Sequence, residues 1–196
     1  MNKFVEPLNL DFDLCDELIA LIDKVEFYES LDRDEIYLKN RVSPDEDIWW
    51  EIEPKFNVPV GELKNKIKSR DDLIKAMNYT DRAYLYWNNS TPIKIIQSVE
   101  AIESDLNINI HRVTLNRLRV TSGLSIHSDG CKKIHYPVVT SDHAFFYDAS
   151  DLENQVIYNL KKNKFYNVDT ERKHYVYNAD TQDRVHLIMC YDGEIK

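Results

Sequence analysis

The second half of the chain is a succession of short segments rich in β-branched and aromatic residues, and this pattern constrains the fold most strongly. The segments predicted as strands are HRVTLNRLRV, LSIHS, KIHYPVV, HAFFYD, QVIYNL, KFYNV, KHYVYN and RVHLIMCY. Turn-forming residues such as SG, DG, DASD and DTER separate them at short intervals. Many short strands without intervening helices favour an antiparallel sandwich or jelly roll over alternating βαβ units.

Upstream of these strands, apolar residues recur at helical spacing. The predicted helices cover residues 14–25, 62–77 and 92–106. Asp11 and Asp13 can cap the first helix, and Pro92 suits the start of the third. We therefore expect a single α+β domain over residues 1–196, in which a mainly helical part (1–110) packs on a β-barrel-like core (111–196).

Charge and cysteine usage narrow the class of protein. The formal net charge of −9 argues against a nucleic-acid partner, because phosphate neutralisation needs clustered Lys and Arg. The most basic segment, KNKIKSR (64–70), is interpreted as the solvated face of a helix. The three cysteines lie far apart in the sequence and no two of them form a CxxC pair, which fits a reduced compartment. They are Cys15, Cys131 and Cys190. With no signal pattern and no long apolar run, we expect a cytoplasmic protein with no membrane partner.

The stretch HSDGCKKIHYPVVT places His127 and Asp129 two residues apart, a spacing that points both side chains one way on a strand. Chance alone supplies such a pair in a chain with 6 histidines and 34 acidic residues, and a surface turn would explain it equally well. A metal site needs a third ligand, for which His174 and His186 are the candidates on the C-terminal strands. Two histidines and one carboxylate suit ferrous iron with open coordination positions better than structural zinc.

Arg184 is the second informative residue, because the pattern RVHLIM places it inward among apolar side chains. A buried guanidinium without a partner is costly, and a bound dicarboxylate would supply that partner through a bidentate pair. The alternative is an ion pair with Asp183 or Asp192 at a sheet edge.

Five motifs in order, SGLSIHSDG, KIHYPVVT, YNLKKNKFYNVD, KHYVYN and DRVHLI, resemble the aspartyl/asparaginyl β-hydroxylase-type branch of the 2-oxoglutarate/Fe(II) dioxygenases, which includes proline hydroxylases. The resemblance implies a double-stranded β-helix, or jelly-roll, core of the cupin type. It implies iron ligation, and with it the catalytic centre, by His127, Asp129 and His174. It also implies that Arg184 binds the distal carboxylate of 2-oxoglutarate, with His135 and Lys133 near it.

The resemblance therefore predicts an enzyme that uses Fe(II), 2-oxoglutarate and dioxygen. Hydroxylation of an amino acid or an amino-acid side chain, free or in a peptide, would be coupled to decarboxylation of 2-oxoglutarate to succinate. Because Asp129 is present, the chain resembles the microbial branch more than the animal peptidyl enzymes, which implies a microbial or viral-encoded intracellular protein. The alternative is a non-catalytic cupin-like module that binds a metal or a small acid, and the sequence predicts no oligomeric state.

The remaining polar and aromatic residues have plainer interpretations. Arg117 and Arg119 share one face of the first core strand and are expected in solvent or in an ion pair, Asn178 in a turn, and His186 as a satisfied core histidine. His111 and His143 are expected to be structural or exposed. The aromatic clusters could wall a substrate pocket, although core packing is the expected role. They comprise Trp49, Trp50, Tyr84, Tyr86 and Trp87.

Overall fold

A computed structural model describes residues 3–29, 34–40, 84 and 86–195, and the backbone of two short strands at 52–53 and 58–59. The helix predicted over 62–77, its basic segment and the Trp49–Trp50 pair lie outside the described residues.

All eight strands predicted downstream of residue 110 are present. They are β8 (Asn109–Leu118), β9 (Ser122–His127), β10 (Lys132–Val139), β11 (Ala144–Asp148), β12 (Val156–Tyr158), β13 (Tyr166–Val168), β14 (His174–Asn178) and β15 (Arg184–Asp192). They form two antiparallel sheets, a major one containing β13-β10-β15-β8 and a minor one in the order β12-β11-β14-β9. Because the chain crosses repeatedly between the two sheets, the core is a double-stranded β-helix, as the sequence predicted.

The N-terminal part contributes strands as well as helices. Its elements are β1 (Val5–Pro7), α1 (Cys15–Ile22), β2 (Tyr28–Glu29), β3 (Asp34–Tyr37), β4 (Lys39–Asn40), β5 (Ile52–Glu53), β6 (Val58–Pro59), β7 (Tyr86–Trp87) and α2 (Ile93–Leu106). Strand β1 extends the major sheet at β13, while β3 and β2 extend it beyond β8. The two helices agree with the predicted first and third helices, and Asp13 Oδ1 accepts a hydrogen bond from the backbone N–H of Cys15 at 3.2 Å.

The major sheet has an apolar face covered by the helices and a partly polar face turned into the barrel. On β10, Ile134 and Tyr136 belong to the core formed with α1 and α2, whereas the alternating residues Lys133 and His135 are buried on the other face. Strand β15 alternates in the same way, with Leu187 in the helix-facing core. A one-residue slip in register would drive the charged side chains into that core. The apolar face therefore fixes which polar groups enter the barrel.

Two local features of the core are a left-handed residue at Asn163 and the state of the cysteines. Asn163 adopts the left-handed conformation with φ 57°, and its side-chain oxygen accepts a hydrogen bond from the Tyr136 hydroxyl. The three cysteines are buried free thiols. In the part of the chain that the structure describes, no helix is long and apolar enough to cross a membrane.

Candidate metal centre and carboxylate pocket

The structure brings together His127, Asp129 and His174. His127 ends β9 and lies opposite His174, the first residue of β14, with the two ring centroids 4.3 Å apart. Asp129 Oδ1 is 3.9 Å from His127 Nε2, and Asp129 Oδ2 is 3.5 Å from His174 Nε2. One ligand atom from each residue lies within 4.8 Å of the others. Three such atoms can face one divalent cation and leave further coordination positions open.

The close approach of β9 and β14 depends on Gly123, which pairs with Tyr177. A Cβ atom at this position would lie 2.7 Å from the carbonyl oxygen of Val176 and 2.8 Å from the Tyr177 ring. A larger residue would therefore push β9 and β14 apart, which would also separate His127 from His174 at the other end of the strand pair.

Asp129 does not share a strand with His127, contrary to the interpretation of their spacing, because β9 ends at His127. Its backbone N–H instead donates to the carbonyl of Thr170 at 2.8 Å. The Thr170 hydroxyl in turn donates to the carbonyl of Cys131 at 2.6 Å. Thr170, which follows β13, thus holds the loop that carries Asp129 through two hydrogen bonds. No sequence motif predicted this role.

Hydrogen bonds to the backbone orient both histidines. His127 Nδ1 donates to the carbonyl of Ser125 at 2.7 Å, and His174 Nδ1 donates to the carbonyl of Arg172 at 2.9 Å. In a neutral ring, this leaves each Nε2 with a free lone pair directed towards Asp129. Burial lowers the pKa of His174, which favours the neutral form. Metal-binding histidines usually donate their second nitrogen in this way.

Lys133 lies against Asp129 rather than against Arg184. Its ammonium group is 2.6 Å from Asp129 Oδ2, and only 5% of the lysine side chain is exposed. Burial alone would raise the pKa of Asp129, but the charge and hydrogen bond of Lys133 outweigh it, so the pKa falls below its usual value. The carboxylate is therefore ionised at neutral pH, as a metal ligand must be.

Arg184 is buried inside the barrel, 6% exposed. Its guanidinium carbon lies 5.3 Å from the centre of the Phe146 ring. No described carboxylate lies within ion-pair distance of it, and Asp183 instead lies near Arg117, with 3.8 Å between Arg117 Nε and Asp183 Oδ2. Burial lowers the pKa of Arg184 to about 9, so it is still charged at neutral pH. An unneutralised buried cation is what a site for an anionic ligand provides.

His135 and His186 are buried beside Arg184. His186 Nδ1 is 2.9 Å from Arg184 Nη2 and 3.4 Å from His135 Nδ1. Over the described part of the chain, the Nε2 atoms of both histidines lack a hydrogen-bond partner. The expectation that His186 is a satisfied core histidine is therefore wrong.

One cavity connects the metal-ligand cluster with the buried arginine. Its wall also contains Phe146, whose ring stacks on His174 with centroids 5.9 Å apart and an interplanar angle of 20°. No sequence motif singled out this aromatic residue. The lining residues are Asn116, Arg117, Leu118, Leu124, His127, Asp129, Lys133, His135, Phe146, Thr170, His174, Val176, Arg184 and Ile188.

The other polar residues have structural roles that match their plainer interpretations. Arg117 and Arg119 both bind the buried Asp34, at 2.7 and 2.8 Å. Asn178 donates from Nδ2 to the carbonyls of Leu118, Arg119 and Gln182, which fixes the turn before β15.

Among the described residues, the other histidines and the members of the aromatic clusters named above do not line the cavity. His111 is buried, whereas the side chain of His143 is 70% exposed. Tyr84 is buried and stacks on Tyr37 with ring centroids 6.0 Å apart. Trp87 packs against the Lys39 ammonium group, and 41% of Tyr86 is exposed.

The donor set fits Fe(II) and a dicarboxylate co-substrate. Two imidazole nitrogens and one ionised carboxylate form a facial set of the kind that non-haem iron sites use. Arg184 supplies a positive charge in the same cavity.

Comparison with solved structures supports the fold. Neither a family model nor a curated protein sequence matches the chain. A 2OG-Fe(II) oxygenase family oxidoreductase from Burkholderia pseudomallei has a TM-score of 0.51 at 14% identity, covering 91% of this chain and 77% of that one. The viral collagen prolyl hydroxylase of Paramecium Bursaria Chlorella virus-1, in complex with 2OG, has a TM-score of 0.54 at 10% identity, covering 96% and 95%.

A third neighbour extends the range of activities found on this architecture. It is the non-haem α-ketoglutarate-dependent epimerase SnoN of nogalamycin biosynthesis, with a TM-score of 0.50 at 10% identity, covering 96% of this chain and 76% of that one. At such identities the likeness establishes the double-stranded β-helix fold that these oxygenases share. The reaction must be argued from the site.

Proposed function

We propose that this protein is an Fe(II)- and 2-oxoglutarate-dependent dioxygenase that hydroxylates an amino acid or an amino-acid side chain. The observation that carries the proposal is the occurrence of two features in one cavity. His127, Asp129 and His174 converge on a common point, and the buried Arg184 has no carboxylate partner among the residues described. Either feature alone has a structural explanation, whereas their combination matches the needs of a metal and a keto acid together.

In this proposal His127, Asp129 and His174 hold the iron. Their orientation is prepared by the two backbone carbonyls that accept from the imidazoles and by the ammonium group of Lys133 on Asp129. Bound iron supplies the activation of dioxygen that protein side chains cannot provide. Three protein ligands would hold the metal and would leave its remaining positions for the co-substrate and dioxygen.

Arg184 binds the distal carboxylate of 2-oxoglutarate. Its guanidinium group can form a bidentate pair while the Phe146 ring beneath it keeps water from that side. His135 lines the same cavity. The enclosure by buried side chains strengthens this electrostatic interaction relative to bulk water.

The choice of an amino-acid substrate rests on the motif resemblance and on the fold shared with a prolyl hydroxylase. For the same reason we propose that the protein is related to the aspartyl/asparaginyl hydroxylase and proline hydroxylase group. Asn116, Leu118 and Leu124 also line the cavity.

The test is formation of succinate and consumption of dioxygen by protein loaded with Fe(II) and supplied with 2-oxoglutarate. A panel of free amino acids and short peptides serves as the substrate set. We expect turnover to be lost in His174→Ala and kept in the control His143→Ala, since His143 is exposed and does not line the cavity. Arg184→Gln should raise the Michaelis constant for 2-oxoglutarate.

Two results would contradict the proposal. Full turnover in His174→Ala would remove that residue from the metal site. If the protein binds iron but forms no succinate with any substrate, it is instead a non-catalytic module that binds a metal or a small acid.

A further inference from the structure

The hydrogen bonds that connect Arg184, His186 and His135 determine which ring nitrogen of each histidine carries the proton. A guanidinium group has only donors, so His186 Nδ1, 2.9 Å from Arg184 Nη2, must be the acceptor. The proton of neutral His186 is therefore on Nε2. Burial, followed by the charge of Arg184, lowers the pKa of His186 well below its usual value, which keeps the ring neutral.

The same reasoning assigns His135. Its Nδ1 lies 3.4 Å from the Nδ1 of His186, whose lone pair already accepts from Arg184. Two unprotonated ring nitrogens at this distance would repel each other, because both carry partial negative charge. His135 Nδ1 therefore carries the proton and donates weakly, which leaves Nε2 unprotonated. Burial and the charge of Arg184 also lower the pKa of His135, so a doubly protonated ring is disfavoured.

His186 is the one hydrogen-bond partner that the described residues offer to the Arg184 guanidinium. Arg184 has a long side chain with several rotatable bonds, and the flat Phe146 ring restrains it only from one face. The bond to His186 occupies one N–H group and leaves the others for a ligand. His186 thus selects one orientation of the guanidinium without consuming its capacity to bind a carboxylate.

We propose that His186 is a positioning residue for the anionic co-substrate, holding Arg184 through a fixed Nε2–H tautomer, with His135 protonated at Nδ1 beside it. This inference rests on the proposed function, in which Arg184 receives a carboxylate of 2-oxoglutarate. It also refines the role of His135. With Nε2 unprotonated, His135 accepts a hydrogen bond from a hydroxyl group or water and cannot donate to the carboxylate from that atom. His186 does not line the cavity, so Arg184 is the donor to the carboxylate.

The tautomers can be measured without a ligand. Long-range proton–nitrogen spectra of 15N-labelled protein at neutral pH, assigned with single His→Asn variants, distinguish protonation at Nδ1 from protonation at Nε2. We expect His186 to be protonated at Nε2 and His135 at Nδ1. The opposite tautomer at either residue would overturn the inference, whatever the protein catalyses.

The positioning role is tested by binding of 2-oxoglutarate to Fe(II)-loaded protein in anaerobic calorimetry. His186→Leu removes the acceptor, and we expect about tenfold to a hundredfold weaker binding. His186→Asn places its side-chain oxygen at the position of Nδ1 and should restore most of the affinity. In steady-state assays the leucine variant should show a raised Michaelis constant for 2-oxoglutarate with a smaller change in kcat.

The control is His143→Leu, an exposed histidine whose loss should not change the affinity. Unchanged affinity in His186→Leu, or no recovery in His186→Asn, would overturn the positioning role. Should the leucine variant fail to fold, the tautomer measurement on the unsubstituted protein decides. Absence of any binding of 2-oxoglutarate to the unsubstituted protein would instead contradict the proposed function.

Discussion

Replacing Asp129 with asparagine tests whether Asp129 and Lys133 form one electrostatic unit in the metal-free protein. The two groups are 2.6 Å apart, with side-chain exposures of 18% and 5%. Asparagine keeps the size of the side chain and the backbone bond to Thr170, but it leaves the lysine ammonium group buried without its carboxylate. No other acidic residue in the described part of the chain lies within ion-pair distance of that ammonium group.

Breaking a fully buried ion pair by removing one partner costs about 3–5 kcal/mol. Because Asp129 is partly exposed to water, we expect the lower figure of about 2–3 kcal/mol for Asp129→Asn. For a protein of this size, that loss lowers Tm by about 4–12 °C. Thermal and urea unfolding should be measured with a chelator present, so that metal binding does not add to the difference.

The double variant Asp129→Asn/Lys133→Met removes both charges and should be more stable than Asp129→Asn alone. If the two single effects instead add to within about 0.5 kcal/mol, the groups are not coupled and the reasoning is refuted. Lys132→Met is the matched control, because Lys132 pairs on the surface with Glu194 and should contribute at most about 1 kcal/mol.

Three further perturbations have defined outcomes. Adding Zn(II) or Co(II) should raise Tm of the unsubstituted protein but not of His174→Ala; an equal rise in both would place the metal elsewhere. Asn178→Ala removes the amide that donates to the carbonyls of Leu118, Arg119 and Gln182, of which that of Arg119 keeps a bond from the Ser122 hydroxyl. A loss of about 2 kcal/mol is expected in urea unfolding, whereas no loss would show that water replaces the amide. Burial alone would raise the pKa of Asp34, but the hydrogen bonds from Arg119 and Arg117 outweigh it, so the pKa is lowered in the folded protein. The ionised Asp34 therefore stabilises the fold at pH values above its pKa in the unfolded chain, and this stabilisation is lost as the pH falls through its pKa in the folded protein. The stability deficit of Asp34→Asn should therefore shrink between about pH 5 and pH 2, and a constant deficit would contradict this.

Local pattern was sufficient to predict the strands, because alternation and turn residues act over neighbouring positions. The two faces of β10 and β15 can likewise be distinguished from sequence, since alternate residues of a strand point to the same face of the sheet. The inward position of Arg184 followed from that periodicity. By contrast, the seven N-terminal strands of the described chain are short and carry no comparable alternation, so the sequence pattern showed only the helices there.

Sequence pattern alone predicted the order of the eight core strands and the inward position of Arg184. Which polar side chains meet inside the barrel became clear only from the packing of the strands in three dimensions. The backbone N–H of Asp129 donates to the carbonyl of Thr170, which lies far along the chain, and His135 lies beside His186 because their two strands are neighbours in one sheet. Periodicity predicts the direction of a side chain from its own strand, whereas contacts between residues distant in sequence depend on the register between strands.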